Sequence, residues 1–136
     1  MDADQDERRE FRMSIACRGV RGAITCSANT REAILAATTE LLQAVIAANG
    51  IEAVDVASVW FTTTADLYAE FPAVAARQIG WTDTALMCTH EMNIPGSLQS
   101  CIRLIIHWNT TVAQADITHV YLAGAAVLRP DRAKNK

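Results

Sequence analysis

The sequence predicts an α+β domain: one mixed sheet of five strands carrying its helices on one face. Three observations lead there. Five short segments read as strands, VASVWFTTT most plainly because it is β-branched and aromatic. One longer segment repeats its apolar residues at helical spacing between a cap and a stop signal. The segments follow one another as β-α-β-α-β-β-α-β, an order that requires a mixed sheet.

The elements follow in chain order. MDADQDERREFR, residues 1–12, mixes both charge signs and has almost nothing to bury, so a flexible charged arm is expected there. Met13 to Ala23 is expected to be a strand, with Gly19 and Gly22 marking a bulge or a close backbone approach. In SANTREAILAATTELLQAVIAANG, Asn29 or Thr30 can cap a helix and Glu32 suits its positive end. Ile34, Leu35, Leu41, Leu42, Val45 and Ile46 form its apolar face, and Asn49-Gly50 stops it. Val56 to Thr64 is a β-branched and aromatic strand. Pro72 opens and Gly80 closes a short helix in FPAVAARQIG. Ala85 to Met92 is a strand, followed by a turn over Asn93 to Gly96. CIRLIIHWN, Cys101 to Asn109, is the next strand. A short helix around Ala113 to Ile117 leads into a last strand, THVYLAGAAVLRP. One domain is expected over 13–131, with a C-terminal tail over 132–136. A single layer of helices leaves the second sheet face bare. In so small a chain, another copy of itself is the expected cover.

Bulk properties narrow the function classes. The 136 residues are 51% hydrophobic and 20% charged, a folded rather than a disordered composition. The net charge of −3 comes without a basic stripe, so nucleic acid is not an expected partner. No apolar run nears the length of a membrane span, and no signal peptide is visible, so a cytoplasmic location is expected. The four cysteines contain no C-x-x-C pair and are expected to be reduced thiols.

Arg103 breaks the apolar run of its strand. Alternation puts Ile102, Leu104, Ile106 and Trp108 on one face, toward the helices. Cys101, Arg103, Ile105 and His107 fall on the other. In the preceding strand, Cys88, His90 and Met92 share one side and Met87, Thr89 and Glu91 share the other. Two neighbouring strands, each offering an ionisable group in apolar surroundings, point to a pocket for a charged small molecule. A plain structural ion pair between Arg103 and Glu91 explains the same pattern. Cys88-x-His90 with Cys101 or His107 fits no usual zinc spacing. Cys88 has no readable His-Asp support, so a buried thiol is favoured over a nucleophile. Arg18 and Arg21 are equally consistent with solvated charges, and Gly19-x-x-Gly22 is too short for a phosphate loop.

Five motifs occur in order: CRGVRGAIT, DLYAEFP-x-x-AAR, MCTHEM, CIRLIIHWNT and HVYLAGAAVLRPD. Together they resemble the monofunctional chorismate mutases of the AroH class, from about Met13 to Asp131. The resemblance implies a homotrimeric pseudo-α/β barrel with active sites between subunits. It implies the Claisen rearrangement of chorismate to prephenate in phenylalanine and tyrosine biosynthesis, with no metal, cofactor or covalent intermediate. By motif, Arg103 corresponds to the arginine facing the breaking ether oxygen, and Glu91 to the carboxylate that accepts from the ring hydroxyl. Cys88 corresponds to a cysteine near that hydroxyl, and Arg21 and Tyr121 to the groups that hold a substrate carboxylate. Phe71 and Arg77 correspond to the mobile mouth, Leu128 and Arg129 to the wall and entrance. Met87, Thr89 and His90, also in MCTHEM, are expected to line the substrate. By the same resemblance, Val74 stands where a relative carries a lysine, so one rim charge is missing. Met87 replaces a small polar residue, the loop before Gly80-Trp81 is one residue short, and Pro95-Gly96 differs from the usual turn. Two other classes stay open at this level: an imine-hydrolysing enamine deaminase-like trimer, and a non-catalytic trimeric binder of a shikimate-pathway or aromatic acid.

Overall fold

The structure, a computed structural model, describes residues 14–129; the charged arm and the C-terminal tail lie outside the described residues. The strands are β1 (Ala16–Thr25), β2 (Val56–Thr63), β3 (Ala85–His90), β4 (Cys101–Thr110) and β5 (Val120–Leu122). The α-helices are α1 (Arg31–Asn49) and α2 (Ala73–Gln78). Short 3-10 turns occupy Ala53–Asp55, Gln114–Asp116 and Ala123–Leu128. The sheet runs β3-β2-β4-β1-β5. β4 is antiparallel to both neighbours, while β3 and β5 lie parallel to β2 and β1 at the edges. The expected mixed sheet is therefore present.

α1 forms because its ends and its face agree. Thr30 is extended and its hydroxyl accepts from the Ala33 amide at 3.1 Å. Gly50 turns the chain with φ of 73°, a left-handed conformation that costs other residues more. Between them, Ile34, Leu35, Leu41, Leu42 and Val45 are buried against the sheet. There they meet Val20 and Ile24 of β1, Val59 and Phe61 of β2, and Ile102, Leu104, Ile106 and Trp108 of β4. Each large side chain so buried contributes about 1.5–3 kcal/mol. Thr38, buried within this layer, satisfies its hydroxyl on the Ile34 carbonyl at 2.7 Å. Gly22 marks a close approach of helix and sheet. A Cβ there would sit 3.0 Å from Val45 and 3.1 Å from Leu41.

Three expectations are corrected. β3 and β4 are not neighbours, because β2 lies between them. The last strand is only three residues long, because Ala123 takes a positive φ of 52° and the chain leaves the sheet as a 3-10 turn. β1 shows no bulge against β4; its register is continuous from Ala16 to Thr25, so Gly22 marks close approach alone.

The second sheet face is only partly covered. At one end the 3-10 turn lays Ala125 over Ala23 and Cys101, with Leu98 and Leu128 alongside. Across the middle, Trp60 stays 45% exposed and Met87 51%.

One polar clamp sets where β4 begins. Ser100 is held at a positive φ of 53° by Asp66, whose carboxylate accepts from the Ser100 amide at 3.0 Å and hydroxyl at 2.9 Å. Thr64 donates its hydroxyl to Asp66 at 2.5 Å and accepts from the Cys101 amide at 3.0 Å. These bonds, the Thr64 hydroxyl first, hold the Asp66 carboxyl below its ordinary value of 3.8 despite some desolvation. Its stabilisation is therefore present above that ordinary value and is lost as pH falls through the lower folded one. Asp66→Asn should destabilise the protein by about 1 kcal/mol at neutral pH and remove this part of the acid sensitivity. Urea unfolding at neutral and acid pH measures both.

Candidate active site

The open face carries the site because the registers align. Thr62 of β2, Arg103 of β4, Ala23 of β1 and Tyr121 of β5 form one row across four strands. Trp60, Ile105 and Arg21 form the next row. A cleft of about 280 Å³ lies over these rows. Arg21, Thr62, Glu91, Arg103, Tyr121 and Leu128 are the chemically informative parts of its lining.

Glu91 follows β3 directly and ties its amide to the Thr63 carbonyl at 2.8 Å. From there it reaches past β2, and its Oε2 lies 3.4 Å from Arg103 Nη1. Its other oxygen accepts from the Met92 amide at 2.8 Å. This pair is long and roughly a third exposed, at 29% for Arg103 and 35% for Glu91, so it is a weak structural link. Among the described residues, Arg103 Nε, Thr62 Oγ1 and Tyr121 Oη are all buried with no hydrogen-bond partner. Cys101 does not satisfy Arg103: burial pushes its thiol pKa up, against the opposing pull of Arg103, and a neutral thiol is a poor acceptor. The Arg21 guanidinium stands 5.9 Å from the Tyr121 ring centroid. Two guanidiniums against one carboxylate leave the cleft cationic. Its three orphaned polar atoms are unmet needs that a polar, anionic ligand would satisfy.

The remaining sequence candidates lie elsewhere in the chain. Cys88 is in register with Phe61, on the helix face and therefore on the opposite side of the sheet from Arg103. It lines a second cleft, of about 300 Å³, with Thr63, Phe71, Thr89 and His90. Burial raises the Cys88 thiol pKa, opposed by the Ala73 amide and by Arg77 on α2. His90 meets the Thr63 hydroxyl at 3.1 Å. Phe71 is 66% exposed at the rim. Met87 pairs with Trp60 on the open face. Arg77 and Arg129 are exposed and line neither cleft. One chain thus gathers Arg21, Glu91, Arg103, Tyr121 and Leu128, and places Cys88, Phe71, Thr89 and His90 in another cleft.

Sequence reasoning missed Trp60 and Thr62. The signal was available: period two in VASVWFTTT puts Ser58, Trp60 and Thr62 opposite the buried Val59, Phe61 and Thr63. Among the described residues, no group of three His, Cys, Asp or Glu side chains is arranged to hold a metal ion. No helix among them is long and apolar enough to cross a membrane.

A mixed sheet with a small cationic cleft on its open face defines a binder or converter of a small anion. Comparison with known proteins gives the family. Residues 17–132 match the family described as Chorismate mutase type I. The chorismate mutase AroH of Thermus thermophilus is 50% identical over 115 residues, covering 84% of this chain and 94% of that protein. The Bacillus subtilis chorismate mutase AroH is 42% identical over 120 residues, 88% of this chain and 94% of that one. A solved chorismate mutase from Clostridium thermocellum superposes with a TM-score of 0.79 at 52% identity, over 80% of this chain and 97% of that one. The chain belongs to the type I chorismate mutase family. Its function is that of a chorismate mutase, an isomerase.

Thr62→Val tests the orphaned hydroxyl. It keeps the shape and removes a buried, unpartnered oxygen, so stability should hold or rise by about 1 kcal/mol. If that oxygen meets substrate, KM should rise in the same variant. Denaturation and steady-state kinetics read the two effects separately.

Proposed function

We propose that chorismate rearranges to prephenate in the Arg103 cleft, and that the mechanism is positioning plus electrostatics. The reaction is unimolecular: a C–O bond breaks while a C–C bond forms. No proton has to move and no nucleophile is needed. The protein must hold the flexible enolpyruvyl arm over the ring, and it must stabilise charge that appears only in the transition state.

The observation that carries this reading is Arg103 itself. Its guanidinium projects from the central strand, 3.4 Å from Glu91, with a buried Nε that has no acceptor among the described residues. An ether oxygen gaining negative charge supplies that acceptor, and a donor fixed on a strand need not reorganise to meet it. Glu91 sits where it offsets the electron-poor ring fragment and accepts from the ring hydroxyl. Arg21, with Tyr121 beside it, holds the side-chain carboxylate as a planar fork.

The second cleft is read as the complementary half of a neighbour's site in a homotrimer. The exposed Trp60 and Met87 on the open sheet face support this, as do the exposed apolar side chains of Met92, Ile94 and Val127. In that assembly Cys88, Phe71, Thr89, His90 and Arg77 of one chain face Arg103 and Glu91 of the next, and Arg129 flanks the entrance. The reading includes a cytoplasmic enzyme of phenylalanine and tyrosine biosynthesis.

Arg103→Ala should lose at least ~3 kcal/mol of transition-state stabilisation, about 100-fold or more in kcat, with little recovery in Arg103→Lys. Near-normal turnover by the lysine variant contradicts the assignment. The kcat should also stay flat around neutral pH, because no proton moves; a steep bell there would mean acid–base chemistry. For the shared site, Arg103→Ala and Arg77→Ala chains should each be impaired alone and regain activity when co-assembled. Activity no greater than their average would mean that each chain works by itself.

A further inference from the structure

The edge of β1 that bears Arg21 is completed by side chains rather than by a strand. β5 pairs with β1 only from Gly22 onward. Upstream of that point, the strap formed by residues 112–119 stands in for a strand. Its Val112 carbonyl accepts from Arg18 Nε at 3.1 Å. Gln114 accepts from the Gly19 amide at 3.1 Å and donates to the Gly19 carbonyl at 2.7 Å. The Arg21 amide donates to His119 Nδ1 at 2.9 Å. His119 is itself anchored from behind. Asn49, at the end of α1, accepts from the Thr118 amide at 2.9 Å and donates to the Thr118 carbonyl at 2.9 Å. The imidazole therefore extends the β1–β5 ladder by one rung, at the residue whose side chain enters the cleft.

Only a neutral ring can make this bond. The Arg21 amide is a fixed donor, so Nδ1 must be a bare acceptor with the proton on Nε2. A proton on Nδ1 would set two N–H groups against each other. We propose that His119 is a positioning residue. Its neutral imidazole holds the Arg21 backbone in register, so that the guanidinium is presented to the substrate carboxylate, and protonation of the ring releases it. This rests on the reading of Arg21 as the carboxylate clamp.

The surroundings keep the ring neutral. The charged or titratable groups on the elements around it are Cys17, Arg18 and Arg21 of β1, Asp116 of the strap and Tyr121 of β5; the last turn of α1 has none. Desolvation, and then the positive charge of Arg21, hold the His119 pKa below its ordinary 6.5. The clasp is thus closed at neutral pH and opens as pH falls through that lower value.

The test is KM for chorismate from about pH 5 to pH 8 in wild type, His119→Asn and His119→Leu. Asparagine can place an oxygen where Nδ1 sits but does not titrate; leucine offers no acceptor. Wild-type KM should rise several-fold on the acid side with kcat little changed. His119→Asn should match wild type at neutral pH and stay flat in acid. His119→Leu should show a raised KM at every pH. An acid limb that survives in the asparagine variant, or a wild-type KM in the leucine variant, overturns the proposal. Arg21→Ala separates the two readings: if its KM is unchanged, the clamp assignment fails whatever His119 does. Should the leucine variant not fold, the Arg21 amide resonance of the unliganded wild-type protein decides. It should shift with the His119 titration, and an amide indifferent to it overturns the proposal.

Discussion

Everything in this fold bears on one under-satisfied cation. Arg103 projects from the middle strand of a five-stranded sheet, beside a single carboxylate 3.4 Å away. Leaving its Nε buried without a partner costs roughly 1–3 kcal/mol. The sheet withstands that cost because the other face of the same strand is apolar and fully packed. Ile102, Leu104, Ile106 and Trp108 anchor β4 under the helices, so Arg103 and Ile105 cannot rotate inward. The Asp66–Ser100 clamp fixes the strand's first residue and therefore the height at which Arg103 emerges. In the proposed mechanism, a guanidinium held this way need not reorganise as charge develops in the transition state.

The second arginine is placed by different means. Arg21 lies on β1, next to Gly22, over which α1 packs closely. Its backbone is tied on the far side by an imidazole instead of a strand. One cation is therefore set by a rigid central strand and the other by an edge with side-chain ties. That division suits the tasks proposed for them: stabilising the reacting oxygen tolerates little displacement, whereas gripping a carboxylate tolerates more.

Much of this was legible in the sequence, for identifiable reasons. The α1 boundaries follow from Thr30 and Gly50, whose chemistry is local. The two faces of β4 follow from strict alternation in CIRLIIHWN. What stayed hidden was long-range. Alternation assigns faces but not neighbours, so Glu91 and Arg103 were expected on adjacent strands when β2 separates them. The last strand is shorter than its sequence suggests because nothing in LAGAAVL announces the positive φ of Ala123. Thr62 went unnoticed because an unpartnered hydroxyl is defined by what surrounds it, and that becomes visible only in three dimensions. The resemblance placed Cys88 near the ring hydroxyl, in the same substrate site as Arg103. One chain alone puts them on opposite sheet faces, so any meeting between them requires a second subunit.

The central claim is that Arg103 binds the transition state better than it binds the ground states. The most direct test compares two affinities in Arg103→Gln: that of a rigid bicyclic dianion shaped like the rearranging species, and that of prephenate. The mimic should weaken by about 100-fold or more while prephenate changes little. Equal weakening of both would show that Arg103 is an ordinary anion contact, and would contradict this account.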